Sequence, residues 1–254
     1  MASRHPGRLF GPPRAPSSIG IITIALLLAL FIQWTPSRIG LILSLAAFMS
    51  SLFTLQYLFD NSTRPLTPAF IALVILDSVP YLIGMAFYGL RVLIYMVPSV
   101  VMFSVYIALA VRKKGRETLA LSLGSTALAT FFFGFSALMN TLSPLAVSVG
   151  FLFLIYNLAE VLFVESRLSF RKVGGHVPLL ALAPALLVLL LYPWYFIIPI
   201  IEPFIKALRR LNGGDKVTGY EQVSRLGRSE AIRYVIFFIL LLLVVMAYRY
   251  GFHL

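Results

Sequence analysis

Residues 118–159, TLALSLGSTALATFFFGFSALMNTLSPLAVSVGFLFLIYNLA, run from Glu117 to Glu160 without one charged side chain. A helix needs about 20 apolar residues to cross the hydrocarbon core of a bilayer, so this interval has room for two crossings. Asn140, Thr141, Ser143 and Pro144 divide it at a turn, because Asn and Ser favour turn conformations and proline does not continue a helix. The reading is a pair of membrane helices joined by a short loop.

The same logic extends outward. No charge interrupts the intervals between Arg14 and Arg38, Arg38 and Asp60, or Arg91 and Arg112, and each holds one helix. Apolar segments are assigned to 18–35, 39–59, 68–88, 92–111, 118–139, 145–164, 177–200 and 231–248. Composition agrees: 60% of the 254 residues are hydrophobic and 12% are charged, too little polar surface to wrap a soluble domain of this length. The expected fold is an all-α polytopic integral membrane protein, a helical bundle with seven or eight transmembrane segments. Segment seven carries Pro178, Pro184, Pro193 and Pro199 and is expected to be kinked or re-entrant.

By domain, 1–17 reads as a flexible basic cytoplasmic tail and 18–200 as a membrane domain of seven apolar segments. Residues 201–230 read as a charged loop with an interfacial helix in IEPFIKALRRL, followed by the last transmembrane helix, 231–248, and a short tail, 249–254. The first apolar segment reads as a retained anchor rather than a cleaved signal. A shift of 76 residues lays segments one to three onto four to six, which raises the idea of an inverted repeat, although equal helix lengths and short loops give such spacing by default.

The net charge of +12 would permit nucleic-acid contact, but in a membrane chain basic loops are better read as anchors on the anionic leaflet. Arg112, Lys113, Lys114 and Arg116 follow segment four, and Arg167, Arg171 and Lys172 follow segment six, whereas the alternate loops are poor in base. This pattern puts the N-terminus in the cytoplasm of a cell membrane. The basic 202–230 stretch fits it only if segment seven does not cross. Trp34, Tyr57, Trp194, Tyr195, Tyr248 and Tyr250 read as an interfacial aromatic belt.

Three polar residues stand out inside apolar segments. Asp77 lies near the middle of segment three and must be protonated, paired or turned to a hydrated interior. Glu160 has Asn157 and Tyr156 three and four residues before it, on the same helix side. Asp77, Asn157 and Glu160 are therefore the candidate solute or proton contacts, with hydrogen bonding between helices as the plainer alternative. Pro80, Gly84, Arg91 and Tyr156 are candidates for packing or counter-charge, and Arg91 can equally reach the interface.

The chain has no cysteine, and its three histidines, His5, His176 and His253, stand outside the central parts of the spans. Paired intramembrane haem ligands, HExxH, GxxxxGK[ST] and GxGxxG do not occur, so no cofactor is expected and catalysis is not favoured. The function expected from these readings is a transport or channel component, moving an ion, small solute or macromolecule without its own ATPase domain. A non-catalytic anchor or scaffold subunit and an intramembrane lipid-modifying enzyme are the alternatives. The expected partners are membrane lipids and a soluble motor or other subunits of a membrane complex.

Overall fold

The computed structural model describes residues 16–32, 36–211, 213 and 216–251. Among these all regular structure is helical, with one isolated β-bridge between Leu168 and Val217 and no strand. The expected all-α membrane class is what the chain forms. Two compact units divide it, residues 1–142 and 143–254.

The first unit contains α1 (Pro16–Ile32), α2 (Arg38–Asp60), α3 (Pro68–Tyr88), α4 (Arg91–Val111) and α5 (Thr118–Leu138). Helix α5 is the hub, packing against α1 and α4 most extensively and also against α2 and α3. Its sequence explains this: Ala120, Ser122, Gly124, Thr126, Ala127, Ala129, Thr130 and Gly134 are all buried, and small side chains let helix backbones approach without a hydrophobic drive. The outer helices α3 and α4 instead expose Ile75, Leu82, Val97 and Val100, the apolar surface expected of helices that face lipid.

Helix ends follow local chemistry. Ser37 caps α2 by accepting from the Gly40 amide at 3.0 Å, and Ser143 caps the next helix by accepting from the Ala146 amide at 3.1 Å. Helix α5 stops before Asn140, which takes a left-handed φ of 59°, a conformation Asn tolerates better than most residues. The turn expected at Asn140–Pro144 is therefore the turn observed.

The second unit contains α6 (Pro144–Arg167), α7 (Val177–Leu182), α8 (Ala185–Leu191), a 3₁₀ turn at Trp194–Ile197, α9 (Ile198–Leu211) and α10 (Tyr220–Arg249). Segment seven is not one helix. It breaks before Ala185 and again after Leu191, next to Pro184 and Pro193, because each proline lacks an amide hydrogen and clashes with the preceding turn.

Six helices among the described residues are long and apolar enough to cross a membrane: α2, α3, α4, α5, α6 and Glu221–Arg249 of α10. The two other expected segments are shorter in their apolar helical part, Ser18–Ile32 for the first and Val177–Val188, across the break at Pro184, for the seventh. Residues 33–35, Trp34 of the aromatic belt, the tail before residue 16 and residues 252–254 lie outside the described residues.

In the 202–230 stretch IEPFIKALRRL is helical, as expected, within α9, and the other end of the stretch is helical too. Helix α10 begins at Tyr220, well before the apolar run, since good helix formers and an i,i+4 pair between Glu221 and Arg225 extend it toward its N-terminus. The connection back to α6 is pinned by Val217, whose amide donates to Arg167 O at 2.8 Å and whose carbonyl accepts from Ser169 N at 3.1 Å.

Candidate functional site

Helix α9 turns two of its charges, Lys206 and Arg210, to where a surface helix would place its apolar residues, while Arg209 is exposed. Lys206, Ala207 and Arg210 are buried together with Pro199, Ile200 and Pro203, while Ile201, Phe204, Ile205, Leu208 and Leu211 are exposed. The spacing 199, 203, 206, 207, 210 is one helical face. In water this arrangement would be inside out. With lipid outside it is the arrangement in which apolar side chains meet acyl chains and cations meet protein.

The inward face meets acids. The Lys206 ammonium donates to Glu160 Oε2 at 2.5 Å and also to Glu230 Oε2. All three side chains are about nine-tenths buried. The ammonium also stands 4.0 Å from the centre of the Phe163 ring, a favourable cation–π position one turn along α6 from Glu160. Glu230 Oε1 accepts from Arg233 Nη1 at 3.0 Å, and Arg233 Nε lies 3.3 Å from Glu202. Three helices, α6, α9 and α10, thus share one chain of charges.

Asn157 and Tyr156 take separate roles. Asn157 Oδ1 accepts from the Tyr234 hydroxyl at 3.0 Å, tying α6 to α10. Tyr156 stacks on Phe237 with ring centres 3.7 Å apart and planes 2° from parallel, and its buried hydroxyl has no hydrogen-bond partner. Tyr156 is thus a packing residue, and the polar groups around Glu160 are Lys206 and Glu230 instead.

At its C-terminal end α6 gathers the basic residues assigned to anchoring. Arg171 pairs with Glu165 at 2.8 Å, so this arginine is engaged within the protein. Arg210 Nη2 donates to Ser166 O at 2.7 Å. Arg167 is half-buried, and Lys172 is exposed, as are Arg112, Lys113, Lys114 and Arg116 after α4.

Asp77 belongs to the first unit and Glu160 to the second, and each has its own partners. The Asp77 carboxylate accepts from the Ser50 hydroxyl on one oxygen and from Thr54 Oγ1 at 2.6 Å on the other. Pro80 lies in the continuous helix α3, and Gly84 is buried against Leu138. Arg91 is no counter-charge for Asp77: its guanidinium donates to Asn140 Oδ1 at 2.6 Å, bridging the start of α4 to the end of α5.

Lys206 and Glu230 are site residues that the loop reading of 201–230 hides, and Arg233 and Tyr234 stand in the first turn of the last assigned span, where the sequence reading does not single them out. The signal for Lys206 and Glu230 is present as period: within 198–211 the polar residues fall on one helical face, and a face of Lys and Arg flanked by isoleucines needs acids opposite it if it turns inward. No protein-family model, curated protein or solved structure matches the chain.

Proposed function

We propose that the chain is a membrane transport or channel component that moves an ion or small solute without an ATPase domain of its own. Lys206, held between Glu160 and Glu230, is the group that handles charge. The buried charge chain carries this reading. Tying helices together does not need ions, because well-packed apolar side chains hold as well or better where water is excluded. Glu160, Glu230 and Glu202 set three negative charges against the two positive charges of Lys206 and Arg233. One proton or one cation balances that set, so the cluster is suited to gain and lose positive charge.

The topology proposed with it has seven crossings, α1 to α6 and α10, with Val177–Leu211 as a re-entrant hairpin. Support comes from where the hairpin starts and ends. It leaves from the C-terminal end of α6 and returns there, since Arg210 bonds Ser166 and Val217 bonds Arg167. Its turn packs toward the far end of α10, with Tyr192 and Phe196 ring centres 5.5 and 5.7 Å from Tyr248. Non-helical backbone at membrane depth is tolerated where protein or a water-filled path covers it. The proposed orientation is an N-terminus in the cytoplasm of the cell membrane, which puts the RKKGRE loop, the end of α6 and the basic 202–230 stretch on one side and removes the conflict over that stretch.

Reconstitution tests the function. Purified protein in liposomes under a pH gradient or an ionic potential should conduct charge or exchange protons, read by a trapped dye, and Glu160→Gln should change the rate while the protein stays assembled. Absence of flux from the unmodified chain, together with co-purification of fixed partners in mild detergent, would favour the scaffold reading instead.

A further inference from the structure

We propose that Asp77, Ser50 and Thr54 form a second site, confined to the first unit, which binds a small monovalent cation of the sodium class in exchange with a proton. The argument begins with charge. Helix α3 carries Asp77 and no other charged side chain. Of the helices packed against it, α2 is charged only at its terminal residues Arg38 and Asp60, α4 only at its first residue Arg91, and α5 nowhere. None of the ion pairs among the described residues includes Asp77. The titratable groups that remain on these four helices are phenols. A carboxylate among apolar helices must still be neutralised, and one negative charge calls for one positive charge, which a divalent ion would overshoot.

The ligand chemistry is all oxygen. Ser50 and Thr54 stand one turn apart on α2 and put a hydroxyl on each Asp77 oxygen. Hydroxyls that donate to a carboxylate keep lone pairs for a hard cation. On α3 itself, Pro80 has no amide hydrogen, so the carbonyl of Leu76 lacks its helical donor next to Asp77 in the chain. The carboxylate and its two hydroxyls are oxygen donors without nitrogen or sulfur, the set a sodium-like ion prefers over a transition metal.

Thr54 shows how a proton would exchange with the ion. Its single hydroxyl hydrogen has two acceptors, Asp77 Oδ2 at 2.6 Å and Ser50 O at 3.0 Å. With Asp77 ionised the hydrogen goes to the carboxylate. With Asp77 protonated the acid donates to Thr54 Oγ1, which turns its own hydrogen to the Ser50 carbonyl. Both states are fully hydrogen-bonded without moving a helix.

The test is thermal unfolding of the full chain in detergent, titrated with NaCl, KCl or choline chloride at constant ionic strength. Sodium should raise the transition temperature saturably, with an apparent affinity about tenfold weaker for each pH unit below the point where Asp77 protonates, as one-for-one competition requires. Asp77→Asn should abolish the sodium-specific shift. Thr54→Ala, which keeps the acid, should weaken the apparent affinity about tenfold, so the outcome does not hang on one variant folding. Equal responses to the three salts in the unmodified chain, or a sodium response unchanged in both variants, would overturn the site. This readout is binding alone, so its failure leaves the flux proposed for the Lys206 cluster standing, and absent flux leaves this site standing.

Discussion

Lys206 Nζ and Glu160 Oε2 meet at 2.5 Å across 46 residues of sequence, and the same ammonium also bonds Glu230. Removing the lysine from such a set leaves buried carboxylate charge without its shared cation, which costs about 3–5 kcal/mol, whereas losing Glu160 alone leaves the lysine paired with Glu230. Lys206→Met should therefore lower the unfolding transition sharply. Adding Glu160→Gln and Glu230→Gln to it should recover most of the loss, because the orphaned carboxylates go with the lysine. Thermal unfolding of the single and triple variants checks this, and equal loss in both would mean that the stem of Lys206, and not its charge, holds α9.

The Tyr234 hydroxyl donates to Asn157 at 3.0 Å, while its ring packs at 5.3 Å from Tyr156 and 6.0 Å from Phe153. The two contributions separate by mutation. Tyr234→Phe keeps the ring and loses one hydrogen bond, so stability should fall by about 1 kcal/mol. Tyr234→Ala also empties the space between α6 and α10 and should cost about 3–5 kcal/mol. Denaturation of both variants measures the split, and similar losses would assign the contact to the hydrogen bond alone.

Most of this fold is legible as spacing between charges. The helices α2 to α6 begin and end within a few residues of the assigned segments, because there the apolar run and the helix are the same object. Legibility fails where helix and apolar run differ. Helix α10 extends through a polar stretch that no hydropathy reading joins to a span, and α9 is too short and too charged to count as one. The sites divide in the same way. Asp77, Asn157 and Glu160 stand out because a polar residue in an apolar run is conspicuous, whereas Lys206 and Glu230 lie among other charges and are conspicuous only by which side of the helix they occupy. Partners distant in sequence, such as Ser50 for Asp77, follow from packing that one sequence does not encode in any local pattern.

Gly40 and Gly84 both meet Leu138, yet their substitution should differ. A Cβ at Gly40 would collide with the Leu138 carbonyl oxygen and lie 2.7 Å from Met139 Cα, backbone atoms that cannot turn aside. Gly40→Ala should cost about 1–3 kcal/mol, the usual penalty of overpacking. At Gly84 the obstacle is the end of the Leu138 side chain, which can rotate, and alanine gains about 1 kcal/mol of helix propensity over glycine. Gly84→Ala should then change stability by less than about 1 kcal/mol. The ordering, read by thermal unfolding, is the prediction, and a reversal would show that α2 and α5 can separate more easily than a side chain can turn.

The proposed re-entrant hairpin predicts the sidedness of three positions. If Val177–Leu211 returns to the side from which it leaves, Lys114 after α4 and Lys216 before α10 share a side, and Tyr250 beyond α10 lies opposite. All three are exposed, and the chain has no cysteine, so single cysteines at these positions report without background. In sealed cells, an impermeant maleimide should label Tyr250→Cys, and it should reach Lys114→Cys and Lys216→Cys only after the membrane is opened. A full crossing by segment seven gives a different pattern, with position 216 labelled from outside and position 250 protected. The inverted orientation gives a third, with positions 114 and 216 both labelled from outside. The comparison between 114 and 216 decides the hairpin independently of orientation, because an odd number of crossings between them puts them on opposite sides and an even number on the same side. From α5 to α9 the hairpin model has two crossings, α5 and α6, and the full-span model has three. Opposite labelling of 114 and 216 would therefore sink the hairpin whichever way the chain is inserted.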